Sequence, residues 1–146
     1  MTEIFKTLAL KVTPKKDKPD NYFFVLKMPA LILAKMKLIP VRYPTTRTGI
    51  QRLSDEKRIK EIAAYIINKE ASFPNSIIVS FTGDIKTVNV DSSPDLYWLE
   101  IPILPEGAII IDGQHRLLGI ERSGIDMNIL VTAFLKIPVQ KQAAIF

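Results

Sequence analysis

The chain has 146 residues, 47% of them apolar, with a formal net charge of +5 and no cysteine. That length can bury a core without staples, the apolar fraction argues against disorder, and the lack of cysteine excludes disulfides and thiolate metal sites. The charge is uneven: residues 1–60 carry 14 Lys and Arg against 5 Asp and Glu, while residues 61–146 carry 6 against 10. A basic half of this kind either serves a polyanion such as DNA or is a solvated lysine surface.

The first residues, Met1-Thr2-Glu3-Ile4-Phe5-Lys6, lack the basic and apolar regions of a secretory signal. The most apolar stretch, Phe23 to Ile39, is interrupted by Lys27, Pro29, Lys35 and Lys37, too often to span a bilayer. A cytoplasmic protein with no membrane partner is expected.

In chain order, residues 1–12 and 21–27 hold β-branched and aromatic residues and are predicted strands, joined by the polar loop Thr13–Asn21. Met28-Pro29 opens a short helix with Leu31, Ile32 and Met36 at helical spacing, and Pro40 and Pro44 stop it. Residues 41–52 show little apolar periodicity and are predicted as an irregular segment carrying Arg42, Arg47 and Arg52. A helix is expected from Ser54 to Lys69. Ser54 serves as its N-cap, Asp55 and Glu56 occupy the first turn, and Ile59, Ile62, Ala63, Ile66 and Ile67 form one face packed on a sheet.

Ile77–Phe81 reads as a strand, and Thr82-Gly83-Asp84 as a tight reversal into a second strand over 85–90. A third runs from Leu96 to Ile101. The continuous apolar run Ala108–Ile111 predicts a strand covered on both faces. Leu117, Leu118 and Ile120 give a short helix ended by Ser123-Gly124, and Asn128–Leu135 is a last strand. Pro138 reads as the first residue of another helix, eight residues before the sequence ends at Phe146. So short a helix buries little by itself, which predicts that residues 1–146 are one α/β domain, a mixed sheet with packed helices, at the front of a longer protein.

The chemistry concentrates at Ile111-Asp112-Gly113-Gln114-His115-Arg116. A buried strand delivers Asp112 to cap the first free N–H groups of the next helix, and Gly113 lets a ligand or another backbone approach. The helix start offers N–H donors and a positive dipole end, and Arg116 a guanidinium suited to phosphate. Gln114 and His115 add hydrogen-bonding groups. This is either an anion cradle or an ordinary cap with a surface arginine. His115 is the sole histidine, so no zinc or other protein-held metal site is expected.

Asp112-Gly113-Gln114-His115-Arg116 resembles the motif that names the DGQHR-domain family, which includes the DndB regulators of DNA phosphorothioate modification. Gly49-Ile50-Gln51-Arg52, the helix after it, Phe73-Pro74 with its strand, and Leu99-Glu100-Ile101-Pro102 resemble the family in the same order. The resemblance covers roughly residues 40–146. More remotely, the order is similar to the ParB/sulfiredoxin-like fold, in which an arginine precedes a helix and a Gly-x-x-Arg turn holds nucleotide phosphates. That similarity aligns Gly113 and Arg116 with the phosphate turn and Gln51-Arg52 with the earlier arginine. The chain departs from it in having Gln114-His115 where ParB has an acidic residue and an arginine, and in lacking the sulfiredoxin cysteine.

The resemblance implies a nucleotide- and DNA-associated regulatory domain of a prokaryotic DNA modification or defence system. Asp112, Gly113, Gln114, His115, Arg116, Gln51 and Arg52 would hold a nucleoside triphosphate with Mg2+, Arg42 and Arg47 would meet DNA, and an oligomer or partner modification proteins would complete it. The alternative is an NTP-hydrolysing component in which His115 or Asp112 moves a proton and Arg116 stabilises the transferred phosphoryl. No Gly-x-x-x-x-Gly-Lys-Ser/Thr loop occurs in the chain, which favours binding over catalysis.

Overall fold

A computed structural model describes residues 2–39 and 48–135, with side chains for all of these except residues 48–54. The chain runs through β1 (Ile4–Val12), β2 (Phe23–Pro29), α1 (Ala30–Met36), β3 (Lys37–Leu38), α2 (Thr48–Asn68), β4 (Ile77–Phe81), β5 (Lys86–Asn89), β6 (Leu96–Pro102), β7 (Ala108–Asp112), α3 (Gln114–Ser123) and β8 (Asn128–Leu135). The fold is a mixed α/β architecture, as the apolar patterning predicts. Its strands form one eight-stranded sheet in the order β3-β7-β4-β8-β2-β1-β6-β5. Neighbours are antiparallel except β3 with β7 and β4 with β8.

Period-two alternation decides the faces. Phe24, Leu26 and Met28 of β2 are buried, while Val25 and Lys27 between them are not. The inward residues form one core cluster with Leu33, Ala34 and Met36 of α1, Ile66 of α2, and Leu117 and Ile120 of α3. All three helices therefore share the core face of the sheet. Leu31 N–H and Met127 N–H both donate to Asp126 Oδ1, at 3.1 and 2.9 Å. The loop before β8 thus holds the start of α1, whose first position is preceded by Pro29 and lacks a local side-chain cap.

Three expectations are corrected. The second helix starts at Thr48, so Ser54, Asp55 and Glu56 lie inside it and not at its start. Residues 48–53 include Gln51, Arg52 and Leu53, good helix formers with no proline among them. Its principal packing partner is α3 and not the sheet. Ile59, Ala63 and Ile66 are buried, but Ile67 is 57% exposed. At about 100° per residue Ile67 lies some 80° round from Ile59, beyond the edge of the contact stripe.

The third correction concerns residues 82–84, which do not close a hairpin. β4 lies between β7 and β8, whereas β5 pairs only with β6 at the far edge. Ile77, Val79, Ser80 and Phe81 are all buried, which demands a central position, while every residue of β5 is exposed. Among the described residues no helix is long and apolar enough to cross a membrane. Arg42, Arg47 and the helix expected at Pro138 lie outside the described residues, as do the side chains of Gln51 and Arg52.

Candidate functional site

The turn from β7 into α3 is built by three backbone requirements. β7 is buried because Ala108, Ile110 and Ile111 fill both sides of it. Its pairing with β4 shifts register between Ile78 and Val79, with Ile78 opposite Asp112 and Val79 opposite Ile110, leaving Ile111 as the extra residue of a bulge. Gly113 then takes φ +96°, where a Cβ would also stand 2.9 Å from Ile77 Cγ1 and 3.2 Å from Arg116 Nη2. Only glycine suits that conformation and that closeness.

Each side chain of the motif has a definite place. Gln114 Nε2 donates back to the carbonyls of Ile110 and Ile111, at 3.3 and 3.2 Å, satisfying backbone oxygens at the bulge. Arg116 reaches across Gly113 to the segment entering β4: Nη1 donates to Asn75 O at 2.6 Å and Nη2 to Ser76 O at 3.0 Å. Ser76 is anchored in turn, its hydroxyl 2.8 Å from that of Thr132 in β8. His115 Nε2 lies 2.9 Å from Asp55 Oδ1 of α2. Because a carboxylate accepts, Nε2 carries the hydrogen.

Asp112 is not the cap. The residue at the cap position is Gly113, no side chain bonds the first turn, and Asp112 is exposed at the end of β7. The first helical bond runs from Leu117 N–H to Gly113 O, so the N–H groups of Gln114, His115 and Arg116 precede the helical ladder. The first-turn amides of α3, at the positive end of its dipole, therefore have no side-chain cap.

A second tie joins α2 to the last turn of α3. Arg122 Nη1 lies 2.7 Å from Glu56 Oε1. That hydrogen bond holds the Glu56 carboxyl below its ordinary value and raises Arg122. Lys37 Nζ, 2.9 Å from Glu121 Oε2, links α3 to the end of α1.

The structure thus brings Asp112, Gly113, Gln114, His115 and Arg116 to one strand-to-helix turn and adds Asp55, which the sequence offers only as a helix-start acid. Nothing local marks Asp55 as the partner of a histidine 60 positions on; only the crossing of α2 over α3 does so. Among the described residues no group of three His, Asp or Glu side chains is placed to hold a metal ion.

Residues 19–146 match a protein-family model described as DndB, DNA-sulfur modification-associated. The match extends the recognisable region back from residue 40 to take in β2, α1 and β3. No curated protein and no solved structure matches the chain.

Proposed function

This chain belongs to the DndB family of DNA-sulfur modification-associated proteins, and from that membership we propose that it is a regulatory domain of a prokaryotic DNA modification or defence system. In this reading it associates with DNA and holds a nucleotide phosphate at the start of α3. The observation that carries the reading is the uncapped first turn. Gln114, His115 and Arg116 send their side chains to Ile110 and Ile111, Asp55, and Asn75 and Ser76 respectively, while their backbone amides are left for an anion.

Arg116 then has two tasks. Its terminal nitrogens fix the rim of the site, and its charge lies next to where a phosphate would bind. Magnesium, if it takes part, would arrive chelated by the nucleotide, since the described residues present no cluster of ligands for it. The strongly basic first 60 residues supply attraction for the DNA backbone, with Arg42 and Arg47 as the proposed contacts and Arg52 facing DNA or the bound phosphate. The remote likeness to the ParB turn supports the same placement of Gly113 and Arg116.

A second reading, nucleotide hydrolysis, is favoured by one observation. His115 is oriented by Asp55 at 2.9 Å, and a histidine fixed by a carboxylate beside an anion site is suited to moving a proton. The test is an equilibrium titration of ATP, CTP and inorganic phosphate, with and without Mg2+, followed by a phosphate-release assay. Binding without release assigns regulation, and release lost in Asp55→Asn assigns catalysis. No heat and no competition with any of these anions sinks both readings. DNA association is read separately by gel shift, where charge reversal at Arg42, Arg47 and Arg52 together should remove most of a steeply salt-dependent binding.

A further inference from the structure

The described helices all cover one face of the sheet, and among the described residues the other face is open over five neighbouring strands. Six of the ten large apolar residues that the described chain leaves exposed stand on it: Ile4, Leu8, Leu10, Val88, Trp98 and Leu130, each between 37% and 51% exposed. Val88, Trp98 and Leu8 are contiguous by register, and Leu130 follows beyond Lys27. Val88 pairs with Trp98, Trp98 with Leu8, and Lys27, the next outward residue on β2, with Leu130. One row therefore crosses β5, β6, β1, β2 and β8, a span of about 19 Å at the usual strand spacing.

A sheet that is apolar on a face must bury that face against another layer, and isolated surface leucines do not form such rows. The charges within and beside the row say what kind of layer fits. The outward charged residues of these five strands are Lys6, Lys27, Lys86 and Glu100. Glu100, opposite both Lys86 and Lys6 by register, lies 4.0 Å from Lys86, while Lys6 turns over Trp98 and neither it nor Lys27 forms an ion pair among the described residues.

We propose that this face is a protein-docking surface, and that its partner presents an apolar stripe edged by carboxylates. A second copy of the chain fits poorly, because face-to-face pairing would set lysines against lysines around an acid already engaged. Stacked nucleic-acid bases fit poorly as well. The open ring, Trp98, has the Lys6 ammonium 5.0 Å from its centroid, and its neighbours in the row are aliphatic. Carboxylates along the margin of an apolar stripe would meet Lys6 and Lys27 while the stripe covers Leu8, Trp98 and Val88.

Trp98 is the only tryptophan in the chain, so its emission reports this face alone. The probe is a helical peptide with a leucine stripe flanked by glutamates, and its control is the same peptide flanked by lysines. The glutamate peptide should shift Trp98 emission to the blue saturably. Its affinity should fall at least about tenfold in Lys6→Glu/Lys27→Glu and weaken with salt, the variant keeping the parent's circular dichroism. Equal binding of the two peptides overturns the proposal. So does a concentration-dependent blue shift of the chain alone with a dimer mass in sedimentation, which would assign the face to a second copy. Anionic vesicles or a single-stranded oligonucleotide that shift Trp98 where the glutamate peptide does not would overturn it equally. None of these outcomes depends on the anion site at α3.

Discussion

Gly119 of α3 lies directly under Ile62 of α2, so close that a Cβ on the glycine would fall 2.4 Å from Ile62 Cγ2 and 2.6 Å from its Cβ. This contact sets the spacing of the two helices, and with it the reach of Asp55 to His115 and of Glu56 to Arg122. Gly119→Ala should gain about 1 kcal/mol of helix propensity and lose about 1–3 kcal/mol to overpacking. The clash involves a β-branched carbon near its own backbone, which cannot swing away, so the loss should win and the urea midpoint should fall. Adding Ile62→Ala should restore much of it. A midpoint that rises in Gly119→Ala alone contradicts this packing.

Arg116 and Asp112 should respond in opposite directions. Arg116→Ala removes two hydrogen bonds to Asn75 and Ser76 and should cost about 1–3 kcal/mol of stability. The same variant should weaken phosphate binding roughly tenfold or more. Asp112→Ala should leave stability within about 0.5 kcal/mol of the parent, because its carboxylate caps nothing. By removing a negative charge beside the site it should tighten phosphate binding a few-fold, on the order of the screened Coulomb energy. Urea unfolding and phosphate titration on both variants separate the effects, and an Asp112→Ala protein that unfolds early would restore the cap.

The start of α1 depends on a residue nearly a hundred positions away. Asp126→Ala deletes the acceptor for Leu31 N–H and Met127 N–H and should cost about 1 kcal/mol, the usual value of a lost cap. Hydrogen exchange should quicken first at Leu31 and Met127. Unchanged protection there would show that Asp126 holds neither group.

The pair Glu56–Arg122 predicts a pH dependence of definite sign. Arg122 lowers the Glu56 carboxyl below its ordinary value, so the pair's stabilisation is present above the ordinary carboxylate range and is lost as pH falls through the lowered value. The stability difference between the parent and Glu56→Gln should therefore be seen at neutral pH and vanish in acid. Both groups are solvated, so the difference should be small and should shrink in concentrated salt. A difference that grows on acidification would reverse the sign.

Much of this molecule is legible in its residues. The strands Ile77–Phe81 and Asn128–Leu135 coincide with their apolar runs, and the helix ended by Ser123-Gly124 stops at a glycine with φ +72°. These elements are set by local period, turn chemistry and backbone conformation, all of which act over a few positions. The five residues Asp112 to Arg116 likewise mark the strand-to-helix turn on their own, because only glycine takes the conformation of Gly113 without strain. Tertiary structure decided the remainder. Whether Asp55 is a helix-start acid or the partner of His115 depends on how α2 crosses α3, and Gly119 and Ile62 govern that crossing. Whether Arg116 is a free cation or a clamp depends on where Asn75 and Ser76 lie, and β4 carries them there only because its burial on both faces puts it beside β7. Side-chain period states which residues are apolar, but a contact between positions 40 or 60 apart is chosen by the packing of whole elements, which no local window contains.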